Sequence, residues 1–293
     1  MEPRPWRLLE ILRQTAGFFA ARGLASPRLQ AEILLGDVLG LRRLDLYLQF
    51  ERLLTPAEVD AYRDHVRRRA QRVPVQYITG RAGFRRLDLE VGPEVLIPRP
   101  ETEVLVDAAL RFVAPRCGPA VMDLGCGSGA IALAIASEHP SARLVAADIS
   151  EAALGVARAN AQRHGLEPRL EFLCGDLFTP LRARPDLLPL DTIVSNPPYV
   201  PSGDLAGLAP EVRDHEPRLA LEGGADGLTF HRRIAAEAWE FLTAGGGLFV
   251  EVGDGQAAAV QGLLEAAGRY DQIGATNDLN RVPRVVSARR APG

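Results

Sequence analysis

The chain has 293 residues, 47% of them hydrophobic and 24% charged, enough to bury a large core in one big domain or, more readily, two. No apolar stretch approaches the roughly 20 residues of a membrane-spanning helix, and the opening MEPRPWRLLE lacks the charged-then-apolar layout of a signal peptide. Cys117, Cys126 and Cys174 are odd in number and lack metal-ligand spacing, so reduced thiols, no metal site, no membrane association and a cytoplasmic location are expected.

The net charge of −3 hides an asymmetry, because residues 1–90 hold 16 arginines against 11 acids and the remainder 18 against 26. The first ~75 residues carry helical periodicity. Trp6, Leu8, Leu9, Ile11, Leu12, Phe18 and Phe19 form one amphipathic run, and residues 29–39 form another after Pro27. A third run is punctuated: Thr55-Pro56-Ala57-Glu58 supplies a capping hydroxyl, a proline at the first helical position and a glutamate at the third. Val59, Tyr62 and Val66 then recur on one face up to Arg72, so a small helical bundle should end near Pro74.

Alternation of Phe84, Leu87, Leu89 and Val91 between two glycines predicts a short β-hairpin. A loop with two prolines then leads into a helix from about Glu101. From Ala120 onward strand-like and helix-like runs alternate. Strands are expected at 121–124, 144–147, 170–174, 192–195 and 247–252, and helices at 130–137, 151–163, 230–242 and 257–267. Two last strands are expected at 270–276 and 283–289. That order implies an α/β domain with a twisted, mostly parallel sheet covered by helices on both faces. The expected division is 1–75 for the bundle, 76–100 for a linker with the hairpin, and 101–293 for the α/β domain.

The stretch VMDLGCGSGAIALAIA sets Gly125, Gly127 and Gly129 between a buried strand and a helix. Glycine there lets the chain turn sharply and lets a ligand approach the backbone beside free helix N–H groups. The spacing is D-x-G-x-G-x-G from Asp123, not the dinucleotide fingerprint. The next strand ends in Asp148, either a ribose acceptor or a cap for the following helix. The one after ends in Asp176. Ligands of open α/β sheets sit outside the carboxyl ends of the strands, and three such ends in succession present Gly, Asp and Asp.

The next strand breaks off into Asn196-Pro197-Pro198-Tyr199, where two prolines forbid both helix and ladder hydrogen bonds. Here the sequence resembles S-adenosylmethionine-dependent methyltransferases acting on a planar, conjugated nitrogen, whose signature is Asp/Asn-Pro-Pro-Tyr/Phe. Further motifs widen the resemblance almost continuously from about Pro74 to Val286: PVQYITGRAGFRRLDLEVGPEVLIPRPETEVLV, GSGAIALAIA, GDLF, IVSNPPYVP and EVRDHEPRLALEGGADGL. Together they resemble the HemK/PrmC family, the release-factor N5-glutamine methyltransferases.

That resemblance implies a seven-stranded, mostly parallel Rossmann-like sheet behind a helical bundle and a hairpin linker. It implies methyl transfer from S-adenosyl-L-methionine, leaving S-adenosyl-L-homocysteine, to the glutamine amide nitrogen of the Gly-Gly-Gln motif in class I peptide chain release factors. Carried over by position, Gly125, Cys126, Gly127, Ser128 and Gly129 wrap the methionine part, Asp148 holds the ribose, and Asp176 and Leu177 lie at the adenine. Asn196 touches cofactor and substrate, with Pro197 and Tyr199 also catalytic and Pro198 completing the glutamine clamp. Arg99, Pro100, Glu101 and Thr102 either close the site, with Arg99 and Glu101 on the substrate, or form a structured loop before a capped helix.

One departure is visible: the family usually has Asp-Leu-x-Gly near the C-terminus, and here Asp278-Leu279-Asn280 is followed by Arg281. The basic N-terminal residues Arg42, Arg43, Arg67, Arg68, Arg69 and Arg72 are either a docking surface for an acidic release-factor face or solvated helix faces. The acidic catalytic half shows no recognition module, so direct nucleic-acid binding is not expected.

Overall fold

The computed structural model describes residues 6–292. It divides into two compact units, the first ending at Gly80 but also taking in Ala209–His215, the second made of Arg81–Leu208 and the chain from Glu216.

In the first unit, helices span Leu8–Ala21, Pro27–Leu39, Arg43–Leu48, Pro56–Ala70 and Val75–Thr79. Leu8, Phe19, Leu34, Leu35 and Tyr62 fill their common core, and the Tyr62 hydroxyl donates to the Ala31 carbonyl at 3.1 Å. The capping motif works as expected: Glu58 N–H donates to Thr55 Oγ1, and Thr55 N–H donates back to Glu58 Oε2 at 2.8 Å. Helices Arg43–Leu48 and Val75–Thr79 were not expected, being too short to show a 3.6-residue period.

Ala209–His215 joins this unit through charge. Arg69, 3% exposed, donates to Glu211 Oε1 at 2.6 Å, to Gln30 Oε1 and to the Val73 carbonyl, while Arg72 reaches the same Glu211 oxygen at 3.3 Å. The His215 ring donates to the Gln71 carbonyl. Of the arginines expected as a docking surface or solvated faces, Arg69 is buried and unavailable to a partner, and Arg43 pairs with Glu32 while staying exposed.

The second unit opens with the hairpin β1 (Arg81–Phe84) and β2 (Leu87–Glu90). Phe84, Leu87 and Leu89 share a core with Leu105, Val106 and Leu133, so the hairpin is packed into this unit. Arg85 at its turn pairs with Asp107 at 2.7 Å and with Glu138.

The sheet comprises β3 (Ala120–Leu124), β4 (Arg143–Asp148), β5 (Leu170–Cys174), β6 (Leu190–Ser195), β7 (Leu242–Glu251), β8 (Tyr270–Asn277) and β9 (Pro283–Arg290). Its order is β5-β4-β3-β6-β7-β9-β8, parallel from β3 to β7, with β9 antiparallel to both β7 and β8. This is the seven-stranded, mostly parallel Rossmann-like arrangement. Strand side chains alternate between two cores. Val121, Leu144, Ala146, Val194 and Phe249 face helices Thr102–Val113, Ala130–Glu138 and Glu151–Arg163. Met122, Val145, Ile193 and Val250 face the other core, which includes Ile234 of helix Thr229–Glu237, Val260 of helix Ala257–Ala267, and the stacked rings of Phe178 and Phe241.

The helix expected to run to Leu242 stops at Glu237, continues as a 3-10 turn at Ala238–Glu240, and gives way to β7 five residues before the strand start expected at Gly247. The reason is the sheet: Leu190 pairs with Leu242, and the register then jumps so that Thr192 pairs with Gly247. Among the described residues, no helix is long and apolar enough to cross a membrane.

Candidate active site

Strand order reverses between β3 and β6, which opens a crevice at the carboxyl edge. A cleft of about 1230 Å³, its solvent mouth included, lies there. Of the expected site residues, Arg99, Gly125, Cys126, Gly127, Ser128, Asp148, Asp176, Leu177, Asn196, Pro197 and Pro198 line it; Gly129, Glu101 and Tyr199 are not among its lining residues.

The glycine turn leaves β3 with left-handed backbone at Gly125 (φ 77°) and Gly127 (φ 53°), and a Cβ built on either meets only open space. Gly129 is different. A Cβ there would lie 3.2 Å from Ala157 Cβ and Leu133 Cδ1, so this position serves close packing against helix Glu151–Arg163. Asp123 lies beneath the turn, fully buried; its Oδ2 accepts from Ala132 N–H at 3.0 Å, and Oδ1 has no partner. Burial, with a contribution from Asp148, pushes its carboxyl up to about 7. Burial also raises the Cys126 thiol, which makes it an inert wall.

At the end of β4, Asp148 accepts from Gly127 N–H through Oδ2 and from Ser150 N–H through Oδ1. Capping of the next helix falls instead to Ser150, whose hydroxyl accepts from Ala153 N–H. After β5, Asp176 is held by both terminal nitrogens of Arg233, at 3.0 and 2.6 Å. Leu177 takes a left-handed φ of 46°.

At the end of β6, the Asn-Pro-Pro-Tyr segment is seated by a glycine turn. Val200 N–H donates to the Leu221 carbonyl, Gly223 N–H donates back to the Val200 carbonyl, Ser202 N–H donates to the Gly224 carbonyl, and a Cβ on Gly223 would lie 2.8 Å from the Pro198 carbonyl. A Cβ on Gly227 would collide with the Tyr199 carbonyl, which also accepts from Gln256 Nε2 at 2.9 Å. These contacts explain the glycines of the EGGADGL motif: no side chain fits between it and the proline frame. The Tyr199 phenol is pushed up to about 12, chiefly by burial and then by the Glu251 charge.

On the linker side, Arg99 Nη2 donates to Glu216 Oε1 at 2.6 Å. Glu216 is buried, its Oε2 lacks a partner, and burial raises its carboxyl despite Arg99. Thr102 and Asn196 meet at 3.1 Å.

Comparison with known proteins decides the family. The chain is 46% identical over 98% of its length and 98% of the other's to a release factor glutamine methyltransferase of Geobacter sulfurreducens, and 42% identical, with the same coverages, to that of Chlorobaculum tepidum. The chain belongs to the release factor glutamine methyltransferase family. Family models agree: the PrmC N-terminal domain matches residues 10–80 and the methyltransferase small domain residues 102–208. Among solved structures, the hMettl16 catalytic domain, determined in complex with the MAT2A 3'UTR hairpin 6, covers 70% of this chain and 78% of its own at a TM-score of 0.57. At 14% identity it shares the fold alone.

As a member of this methyltransferase family, the chain uses S-adenosylmethionine as methyl donor. Its residues fit that group. Gly125 and Gly127 leave the space that a side chain would fill, and each Asp148 oxygen, with one backbone N–H bound, keeps a lone pair for a ribose hydroxyl. Sequence reasoning missed Arg233, Glu216 and Glu251. Each is a single ionisable residue inside an ordinary helix, turn or strand, with its partners 55 to 149 positions away.

Proposed function

We propose that this chain transfers a methyl group from S-adenosylmethionine to the side-chain amide nitrogen of the glutamine in the Gly-Gly-Gln motif of class I peptide chain release factors. One observation carries the reading: the glycine turn, Asp148 and the rigid Asn196-Pro197-Pro198 segment line a single cleft. The names of the relatives, release factor glutamine methyltransferase, support the substrate.

Bound S-adenosylmethionine supplies a methyl group on a sulfonium sulfur and leaves as S-adenosylhomocysteine. In this reading residues 125–129 wrap its methionine part, Asp148 takes the ribose hydroxyls, and Asp176 with Leu177 borders the adenine. The glutamine nitrogen is a poor nucleophile, because its lone pair is delocalised into the carbonyl. Asn196 Oδ1 accepts one of its N–H groups and the Pro197 carbonyl the other, which leaves the free lobe of the nitrogen aimed at the methyl. Pro198 stiffens the frame, and Tyr199 stacks on the planar amide. The acceleration comes from proximity and preorganised dipoles. The nitrogen then gives up one proton to water.

Arg99 acts through Glu216, shaping the wall of the cleft, and Glu101 contributes charge beside the clamp. Residues 1–75 serve as a docking domain for the release factor, 76–100 as the connecting segment and 101–293 as the methyltransferase domain. A release factor substrate places the work in the cytoplasm, and the acidic catalytic half argues against direct nucleic-acid binding. The test is incubation with methyl-labelled S-adenosylmethionine and, separately, an unmethylated release factor or unmethylated DNA, followed by mass spectrometry. Label on the Gly-Gly-Gln glutamine is expected; label on DNA alone would overturn the substrate assignment.

A further inference from the structure

A carboxamide is nearly symmetric in shape, so an asparagine that must present its oxygen needs partners that accept from its nitrogen. Asn196 Nδ2 donates to Thr102 Oγ1 at 3.1 Å, and both side chains lie close enough to the Glu251 carboxyl to favour its charged form. With its oxygen receiving Asn196, the Thr102 hydroxyl has its one proton left to turn toward the Glu251 carboxylate. Thr102 and Glu251 are 3% and 2% exposed, and Glu251 Oε2 has no partner. The strands produce this juxtaposition: Ser195 pairs with Val250, so Asn196 and Glu251 leave β6 and β7 side by side.

We propose that Glu251, together with Thr102, is a positioning residue that fixes the Asn196 carboxamide with its oxygen toward the substrate nitrogen. The proposal rests on the glutamine-methylation reading above. An ionised carboxylate only accepts, so it draws the Thr102 proton and the second Asn196 N–H toward itself while the Thr102 oxygen takes the first. A protonated Glu251 donates as well, and the amide is then free to turn over. Burial pushes the Glu251 carboxyl up to about 7, against the Thr102 hydroxyl and the Arg284 charge. Glu101 raises it further, and the Tyr199 phenol faces it. The His231 ring donates to the Glu251 backbone carbonyl at 2.9 Å, and burial holds that imidazole below its usual value.

The experiment compares wild type, Glu251→Gln, Thr102→Val and Thr102→Ser in steady-state methylation of a release factor between about pH 6 and 9. Glu251→Gln should lower kcat roughly 10–100-fold, the range for outer-shell partners of functional groups. It should leave the KM for S-adenosylmethionine nearly unchanged and remove the loss of kcat toward acid. Thr102→Val should behave alike, and Thr102→Ser should restore the rate. In ligand-free protein, the Asn196 side-chain amide resonances, assigned by their absence from Asn196→Ala, should shift as the pH crosses neutrality in wild type and not in Glu251→Gln. A Glu251→Gln enzyme with the wild-type kcat and acid limb would overturn the proposal, as would an Asn196 amide that ignores pH. If wild type fails to methylate the factor, the functional reading falls, and the amide titration alone decides the positioning role.

Discussion

Asp148 clasps the glycine turn from the neighbouring strand: Gly127 N–H donates to its Oδ2 at 2.8 Å, and Ser150 N–H to its Oδ1 at 2.9 Å. One carboxylate thus sets the shape of the turn and keeps a lone pair on each oxygen for a diol. Asp148→Ala should therefore weaken S-adenosylmethionine binding about 10²-fold, as loss of two charge-assisted hydrogen bonds of ~1.5 kcal/mol each would do. Isothermal titration calorimetry reads this directly. An affinity close to wild type would mean that the ribose is held elsewhere.

Asn196 should matter to the chemical step more than to the donor. Removing its carboxamide in Asn196→Ala takes away a preorganised acceptor at the reacting nitrogen, a loss of about 2.7–4 kcal/mol by analogy with an oxyanion-hole donor, or roughly 10²–10³ in kcat. Single-turnover methylation with saturating donor isolates that step. A kcat within about threefold of wild type would remove Asn196 from the mechanism.

The alternating pattern of the second unit was legible because burial on both sheet faces writes strands as short apolar runs, and the capping box at Thr55 because capping acts over three residues. The rim of the cleft was legible for the same reason of locality: glycines 125 and 127 and the Asn196-Pro197-Pro198 segment each impose a backbone shape within a few residues. What was hidden depends on distance. Thr102 meets Asn196 across 94 positions, Arg69 meets Glu211 across 142, and no local pattern announces either pair. The assignment of Ala209–His215 to the first unit follows from that second contact and from His215 on Gln71. The helix over-extended to Leu242 failed differently: its apolar periodicity runs on through a 3-10 turn into β7, and pairing with Leu190 decides where the strand begins.

Stability should fall as pH rises through the neutral range. Asp123 and Glu251 are both pushed up to about 7, mainly by burial, from ordinary values of 3.8 and 4.5. Between those limits the folded protein holds protons that the unfolded chain has released, so folding takes up protons and stability declines with pH. The contribution is complete below about pH 4 and lost above about pH 7, on the order of 3–4 kcal/mol for each group. Urea denaturation at pH 5 and pH 8 should show Glu251→Gln gaining on wild type at the higher pH. An equal difference at both values would mean that Glu251 does not change charge in that window.

The C-terminal hairpin contains a residue that its backbone disfavours. Arg281, where the motif resemblance leads to an expectation of glycine, has φ 64° and an exposed side chain, and its N–H donates to the Asp278 carbonyl at 3.0 Å. The turn survives because Asp278 organises it, accepting from Asn280 N–H, Val282 N–H and Arg284 Nε. Those bonds hold the Asp278 carboxyl below its ordinary value, the Val282 N–H first among them. A left-handed non-glycine residue costs roughly 1–2 kcal/mol, part of which glycine forfeits through the greater freedom of its unfolded chain. Arg281→Gly should therefore stabilise the protein by about 0.5–1 kcal/mol, with kcat unchanged because the turn lies outside the cleft lining. Thermal unfolding measures the gain. A lower midpoint would mean that the Arg281 side chain makes a contact worth more than the backbone strain it imposes.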